Sequence, residues 1–421
     1  MAPLGPFGPA PGLAVAVSGG ADSSALALLA HGWAAAQRGR VLALVVDHRM
    51  RPESAAEAET TRQRLEARGI EARVLTLSPP PQGSEAARAA RLAALEHAAA
   101  EAGLVFLLLA QHRADQAETL LWRELRGSAA RGLAAMPARR ETALVAALRP
   151  LLCVPPARLR ATCQAHGLAW VTDTTNRDPA YARPRLRALL ADAEGQGSGV
   201  TALAGAAFRH GAVRAGRENE AARLLAQAAS LLPEGFALVD PERLRGPEAA
   251  LAAAMLLRAV GGQAFLPDQG AALALLLRGH GTLAGVQALA AGRLGAGLLV
   301  VREPAACAPA VPATRPGWDR RWRLHGAPGL EVGALGGCRL PASHAPDLPA
   351  PDLPAPDLAA PDLPAIVRRS LPAFRDATGK VVAVPALGYG VGERFAMLAA
   401  RFAPAEPVAP APFLPGSMNG S

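Results

Sequence analysis

The sequence predicts an α/β protein with a doubly wound parallel sheet, followed by a helical domain and a small C-terminal region. Short apolar runs alternate with segments of helical spacing through the first third of the chain. Repeated β-α units of this length are typical of a parallel sheet covered on both faces. From about residue 200 the pattern becomes mainly helical. At 421 residues, 51% of them apolar, the chain can bury the cores of two or three domains.

The alternating elements can be placed in order. Strands are predicted at 13–17, 41–46, 72–77 and 104–110, and helices at 23–36, 53–68, 85–102 and 115–126. Gly69 and Gly103 follow two of these helices, where glycine commonly ends a helix. The run 104–110 is apolar throughout, which indicates a strand buried on both faces. A ligand is expected where the strands end at their carboxyl edge.

Changes in composition predict the domain boundaries. We place the α/β domain at 1–195, a mostly helical domain at 196–303 and a connecting segment at 304–340. Residues 341–365 contain a drifting APDLP repeat with four aspartates and no lysine or arginine, which indicates a stiff or disordered linker. The small C-terminal region is 366–421. Within these regions, hairpins are predicted for 282–302 and around 380–384.

The charge is concentrated. Of 44 basic residues only Lys380 is lysine, so the net charge of +9 partly reflects a composition bias and is weak support for a nucleic-acid partner. Residues 121–187, however, contain 12 arginines and 4 acidic residues. This excess of positive charge favours contacts with an RNA backbone.

Other classes are excluded by composition. The four cysteines form no CxxC pair, which argues against a disulfide scaffold, a zinc ribbon and a cysteine redox centre. The N-terminus lacks the pattern of a signal peptide, and no apolar run reaches the roughly 18 residues that a bilayer requires. We therefore expect a soluble cytoplasmic protein with no membrane partner.

A polar loop follows the first predicted strand. Residues 18–24 read SGGADSS and lead into a helix, whose free N–H groups suit a phosphate. The two glycines allow a tight turn, and the serines add hydroxyl donors. An aspartate beside a phosphate indicates a bridging cation, so Asp22 is the predicted Mg²⁺ ligand. The predicted nucleotide-binding residues of this loop are Ser18, Gly19, Gly20, Ala21, Asp22 and Ser23.

Two further groups are predicted near the nucleotide. Asp47 and His48 leave the second strand towards the expected cleft, although Asp47 could simply cap the next helix. Arg88 and Arg91 lie three residues apart on one helix face, with Glu85 one turn earlier. They form either a solvated ion-pair stripe or a group that stabilises charge on a reacting phosphate.

Asp115 and Glu118 begin the helix after the fourth strand, so both carboxylates share one face near the cleft. They are either partners of the helix dipole or ligands for an ammonium group. Further polar motifs follow: RGS at 126–128, RPLL at 149–152, DTTNRD at 173–178 and an arginine-rich stretch at 183–187.

In this order, the motifs resemble the PP-loop, or N-type ATP pyrophosphatase, family, and within it the tRNA(Ile)-lysidine synthase family. The resemblance covers about residues 13–190 and implies ATP and Mg²⁺ as cofactors. It implies that free L-lysine is joined to a tRNA(Ile) with a CAU anticodon, through an adenylated cytidine. The oligomeric state is left open, with a homodimer as one option.

The resemblance also implies roles for individual residues. Asp22 would bind Mg²⁺, Arg88 or Arg91 would lie at the reacting phosphate, and Asp115 with Glu118 would recognise lysine. Residues 1–195 would form the catalytic domain and 196–303 would contact tRNA. The remaining predicted substrate-binding residues are Arg126, Arg183 and Arg187.

The sequence departs from the family at four positions. Gln111 stands where the family usually has histidine, and Ala114 where it has aspartate, with His112 as the candidate replacement. Pro184 replaces an asparagine and Ala129 a glycine. Three other classes remain open: a PP-loop tRNA thiolase, which usually needs paired cysteines, an amide-forming PP-loop ligase, and a non-catalytic nucleotide- or RNA-binding module.

Overall fold

A computed structural model describes residues 1–49, 53–77, 84–142, 144–171, 182–340, 363–390 and 397–409. They form two compact units, residues 1–216 and residues 217–410. Most of the APDLP repeat and the DTTNRD motif at 173–178 lie outside the described residues.

The first unit contains one six-stranded sheet and the helices that cover it. Its strands are β1 Gly12–Val17, β2 Arg40–Asp47, β3 Glu71–Thr76, β4 Phe106–Leu108, β5 Arg139–Glu141 and β6 Ala146–Leu148. Its helices are α1 Ala21–Ala35, α2 Ser54–Glu66, α3 Ser84–Glu101, α4 Arg113–Leu125, α5 Ala130–Leu133, α6 Pro156–Ala165 and α7 Ala182–Leu190. A long helix, α8 Ser198–Ala228, begins in this unit and ends in the second.

The sheet confirms the predicted fold class. Its strand order is β3-β2-β1-β4-β6-β5, and the first five strands of that order are parallel. The edge strand β5 runs antiparallel to β6, with Arg139 opposite Leu148. The sequence analysis did not predict β5, because three polar residues carry no hydrophobic period.

Helices cover both faces of the sheet, as a doubly wound fold requires. Side chains alternate along β1: Leu13, Val15 and Val17 pack in the core with α1, whereas Ala14 packs in a second core with α3. The two cores therefore hold the sheet rigidly between helical layers. The carboxyl ends of β1, β2, β4 and β6 meet at one edge.

The N-terminal segment is anchored to this unit. Leu4 is buried, and the ring of Phe7 lies 4.8 Å from that of Phe106 on β4. Arg139 on β5 donates to the carbonyls of Leu4 at 2.9 Å and Gly5 at 3.1 Å. The short edge strand is thus tied to the start of the chain.

The second unit combines helices with three antiparallel sheets. Its further helices are α9 Ala249–Gly261, α10 Gln269–Arg278 and α11 Ala365–Arg369. Its strands are β7 Ala229–Leu231, β8 Ala237–Val239, β9 Gly281–Leu283, β10 Val286–Ala290, β11 Leu298–Arg302, β12 Val311–Pro312, β13 Gly317–Trp318, β14 Trp322–His325, β15 Glu331–Ala334, β16 Pro372–Arg375, β17 Val381–Ala383 and β18 Ala399–Phe402. The sheet orders are β7-β8-β11-β10-β9, β12-β15-β16-β17 and β13-β14-β18.

This unit holds more strand than the sequence analysis expected. Strands β10 and β11 form the predicted hairpin, and β16 with β17 forms the one expected near Lys380. The five-stranded sheet packs one face against α9 and α10, with Leu298 and Val300 pointing there and Leu299 and Val301 pointing to the other core. Strand β15 pairs with β16, so the segment predicted as a connector and the C-terminal region form one sheet.

A buried charge cluster lies in the second unit. Asp319 accepts from Arg302 Nη2 at 2.9 Å and from Arg321 Nε at 2.8 Å, and all three side chains are buried. The Arg321 guanidinium also reaches the carbonyls of Gly235 and Ser370. The cluster satisfies backbone carbonyls from several loops. In the described ranges no helix combines the length and apolar character needed to cross a bilayer.

Candidate active site

A pocket of about 420 Å³ opens at the carboxyl edge of the six-stranded sheet. It lies at the position where ligands bind in open parallel α/β sheets. Ten of the residues predicted from the sequence line it: Ser18, Gly20, Asp22, Ser23, His48, Arg88, Arg91, Asp115, Arg183 and Arg187. The structure therefore brings the loop, the strand ends and the α3 and α7 arginines to one place.

Gly19 shapes the loop between β1 and α1. Its φ is +82°, in the left-handed region that favours glycine. A Cβ here would stand 2.7 Å from Oγ1 of Thr61 on α2, so a side chain would also lack space. Its carbonyl accepts the N–H of Val171 at 2.8 Å, which fixes the turn from the other side.

Hydrogen bonds inside the loop hold its serines. The Ser23 hydroxyl accepts the N–H of Ser18 at 3.1 Å and donates to the carbonyl of Gly20 at 3.1 Å. Gly20 precedes α1, and a Cβ on it would have only Ser18 Oγ nearby, at 3.7 Å. Because Gly20 lines the pocket, its missing side chain leaves room there for a ligand. Ala21 does not line the pocket; its carbonyl accepts the thiol of the buried Cys163 at 3.3 Å.

Asp22 lies in the first turn of α1 and faces His112. Its Oδ2 is 3.5 Å from Nε2 of His112, whose Nδ1 is 3.6 Å from Oδ2 of Asp115. Burial opposes the charged form of His112, but the carboxylates of Asp115 and Asp22 outweigh it and raise the pKa of His112. His112 thus connects the loop to the start of α4.

Glu118 is buried and does not line the pocket, and Arg187 lies against it. Arg187 Nε donates to Glu118 Oε1 at 2.6 Å, and its Nη2 is 3.6 Å from Asp115 Oδ1. The second oxygen of Glu118, Oε2, is buried and has no hydrogen-bond partner. Burial raises the pKa of Glu118, although its hydrogen bond with Arg187 opposes the shift. The acidic pair can hold a cationic group, and a guanidinium lies against it here.

The two residues after β2 have different surroundings. Asp47 is buried outside the pocket and accepts from Ser54 Oγ at 2.6 Å and from the N–H of Arg49 at 2.9 Å, which joins the strand end to α2. His48 lines the pocket, and its Nδ1 is buried without a partner. Burial, followed by the charge of Arg91, lowers the pKa of His48. A neutral His48 offers a ring nitrogen to a ligand.

Arg126 lies away from the pocket. Its guanidinium stacks on the ring of Trp122, 4.3 Å from the ring centre, on the exposed end of α4. Arg88 and Arg91 do reach the pocket from α3. Burial, then the charge of Arg88, lowers the pKa of Arg91, so these cations lie close together.

Sequence reasoning missed four polar residues of the pocket as site residues. Arg140 and Arg149 come from β5 and from the end of β6, and Gln111 and His112 follow β4. The RPLL motif that starts at Arg149 gave a signal, and Gln111 and His112 were noted as departures from the family motif. Arg140 gave none, because β5 itself was not predicted.

The donors suit a magnesium ion that a nucleotide also binds. Asp22 Oδ1 is buried and has no hydrogen-bond partner, so this oxygen is available in the pocket. Among the described residues no group of three His, Cys, Asp and Glu side chains could hold a metal. Magnesium commonly uses one or two carboxylates, substrate phosphates and water, and a single aspartate fits that mode.

Comparison with known proteins agrees with this geometry. Residues 5–194 match the family model of the PP-loop domain. Fold and site therefore define a PP-loop protein of the ATP-using class. A solved structure, the U34-tRNA thiolase NcsA from Methanococcus maripaludis, matches 49% of this chain and 74% of its own at 14% identity with a TM-score of 0.41, a likeness that carries no argument about chemistry.

Several curated relatives share one name, tRNA(Ile)-lysidine synthase. That of Bradyrhizobium sp. strain BTAi1 is 42% identical over 302 residues, which are 67% of this chain and 83% of the relative. Those of Rhodopseudomonas palustris and Ralstonia nicotianae are 43% and 39% identical, over 52% and 68% of this chain and 64% and 58% of their own length. This chain belongs to the tRNA(Ile)-lysidine synthase family, as its motifs predicted.

Proposed function

We propose that this protein joins L-lysine to carbon 2 of the wobble cytidine of a tRNA(Ile) with a CAU anticodon. ATP would be cleaved to AMP and pyrophosphate. The observation that carries the proposal is the single pocket in which the SGGADSS loop, Asp115 and a group of arginines meet. Membership of the lysidine synthase family supplies the substrates.

The first step would transfer AMP to the base. The cytidine O2 attacks the α-phosphorus and pyrophosphate leaves. The loop amides and Ser18 would bind the phosphates, while Arg88 and Arg91 would stabilise the charge that grows on the α-phosphate. His48 lines the pocket with an unpartnered ring nitrogen and would contact the nucleotide. Magnesium, held by Asp22, would neutralise phosphate charge.

The second step would form the carbon–nitrogen bond. The ε-amine of lysine attacks carbon 2, AMP leaves with the former O2, and the nitrogen loses a proton. Asp115 is buried at the pocket wall and can hold the amine or accept that proton. Lysine would share the Asp115–Glu118 pair with Arg187 or displace that guanidinium from it.

The test is incubation with a tRNA(Ile) CAU transcript, ATP, magnesium and labelled lysine. We expect label in the RNA and release of AMP and pyrophosphate, and a transcript with another wobble base should take up none. ATP cleavage without lysine incorporation would contradict the proposal. Incorporation of sulfur from a sulfur donor instead would favour the thiolase, which would have to work without a CxxC pair.

A further inference from the structure

The arginines of β5 and β6 occupy a separate part of the pocket. Arg149 directly follows β6, and Arg140 on β5 pairs in register with Ala147 of β6. Strand β4 lies between β6 and the loop-bearing β1. Two strand spacings, roughly 10 Å, therefore separate this corner from the phosphate loop.

We propose that Arg140 and Arg149 bind a phosphodiester group of the RNA substrate, next to Arg88, which the proposed function assigns to the α-phosphate. This would be a second anion site, distinct from the loop that binds the nucleotide. The proposal rests on the function proposed above, because it takes the polymer to be an RNA.

Arg149 is the fixed member of the site. The residue is only 7% exposed, and its Nη1 donates to the carbonyl of Pro137 at 2.9 Å. Its Nε is buried and has no hydrogen-bond partner. A buried guanidinium with an unmet donor is costly, and an anionic ligand would remove that cost.

No carboxylate lies against Arg149 among the described contacts. Burial, then the charges of Arg140 and Arg88, lowers the pKa of Arg149 to about 10, so it remains protonated at neutral pH. Glu96 is the carboxylate that Arg140 influences. Burial raises the pKa of Glu96, against the opposing effects of Thr142 and Arg140.

Arg140 completes the site from its open side, and Arg88 borders it. Both residues are exposed at the pocket, whereas the neighbouring Arg139 points to the other face of β5 and binds the N-terminal segment. The pKa of Arg88 is lowered by desolvation and then by Arg183, with Arg140 acting in the same direction and Asp115 opposing. Three guanidinium groups thus act on one another around a shared space.

The chemistry favours an RNA phosphodiester over the nucleotide. The loop side offers N–H groups, hydroxyls and Asp22, which suit a triphosphate that brings its own cation. The β5–β6 corner offers guanidinium forks, which suit a phosphate without a metal. Because Arg88 and Arg140 are exposed, a polymer can reach this part of the pocket from solvent.

The test compares two variants with a matched control. Arg149→Met removes the buried charge at similar size, Arg140→Gln removes the exposed one, and Arg64→Gln on α2 removes a charge outside the pocket. The probe is the tRNA(Ile) CAU transcript without ATP, bound at a series of salt concentrations. ATP affinity is measured separately with magnesium and no RNA.

We expect each pocket variant to bind the transcript about tenfold more weakly and to lose roughly one unit of salt slope. Affinity for ATP should stay within about twofold, and Arg64→Gln should match the parent. Unchanged RNA affinity in the pocket variants would overturn the proposal. A fall in ATP affinity alone would do the same and assign the arginines to the nucleotide.

Two controls separate a loss of RNA binding from misfolding and from failure of the proposed function. Thermal unfolding tests whether Arg149→Met is folded, and the exposed Arg140→Gln decides the matter if it is not. If the parent protein binds the transcript but never incorporates lysine, the proposed function fails while the comparison of RNA affinities still decides this site.

Discussion

At the scale of single residues, the two carboxylate oxygens of Asp22 have different surroundings. One oxygen faces His112 and the other is buried without a partner. Asp22→Asn keeps the size but removes the charge that a cation requires. We expect pyrophosphate release to fall at least 100-fold, because the phosphate charge would no longer be neutralised. The readout is pyrophosphate release with transcript and ATP; release near the parent rate would contradict the metal role.

Asp115 should affect lysine more than ATP. Its carboxylate accepts the N–H of His112 at 3.0 Å and lies near Arg187, so it belongs to the acidic side of the pocket. In Asp115→Ala we expect the KM for lysine to rise roughly tenfold or more, because a charge-assisted contact is lost. Affinity for ATP should remain near normal, and an equal loss for ATP would show a general collapse of the pocket.

The two loop glycines give a matched pair. Gly19→Ala should destabilise the protein by about 1–3 kcal/mol, because both its positive φ and the position of Thr61 oppose a Cβ. Gly20→Ala has backbone space and should cost about 1 kcal/mol or less, yet its Cβ would enter the pocket and weaken ATP binding. Urea unfolding and ATP affinity together test this. Equal stability of the two variants would be evidence against the steric argument.

At the residue scale, the sequence is most informative where a local motif sets the backbone. The SGGADSS segment indicates a tight turn and a helix start, and its residues Ser18, Gly20, Asp22 and Ser23 line the pocket. Arg140 could not be found in this way, because its role depends on an antiparallel edge strand of three residues. Glu118 was found, but its pairing with Arg187 joins residues 69 positions apart.

At the scale of elements, we expect the buried Asp319 cluster to contribute strongly to the stability of the second unit. Asp319 in the turn between β13 and β14 binds Arg302 of β11 and Arg321, all within the core. Asp319→Asn would leave two buried guanidinium groups without a counter-charge. We expect the free energy of unfolding to fall by about 3 kcal/mol or more, which urea unfolding would show as a lower midpoint.

An exposed ion pair provides the control for that change. Glu220 and Arg223 are 3.3 Å apart on α8, and both side chains are largely exposed. Glu220→Gln should alter stability by about 0.5 kcal/mol or less, because water screens the pair. If both substitutions lowered the free energy of unfolding equally, burial would not explain the contribution of the Asp319 cluster to stability.

Element prediction followed the strength of the periodic signal. The strands and helices up to α4 were placed within a few residues, because apolar runs and helical faces alternate there over six residues or more. In the second unit, strands of two to five residues carry little period. Their partners are also distant in sequence, as β14 and β18 show. In the region expected to be mainly helical, α8 accordingly ends at Ala228 and the strand β7 follows directly.

At the scale of the whole molecule, charge should dominate RNA affinity. The 12 arginines of residues 121–187 outnumber their acidic neighbours threefold, and several of them reach the pocket. We expect affinity for the transcript to fall about 100-fold or more between roughly 50 and 200 mM salt, as phosphate contacts release counterions. Filter binding at a series of salt concentrations measures this affinity. An affinity independent of salt would exclude binding dominated by contacts with the RNA phosphates.

The anchoring of the first residues has a practical consequence. Arg139 donates hydrogen bonds to the carbonyls of Leu4 and Gly5 from one face of β5, and Arg140 lies on the other face and lines the pocket. This three-residue strand therefore connects residues 4 and 5 to the site of Arg140 and Arg149. Removing Leu4 and Gly5, or crowding them with a bulky fusion, would loosen this strand and with it the position of Arg140.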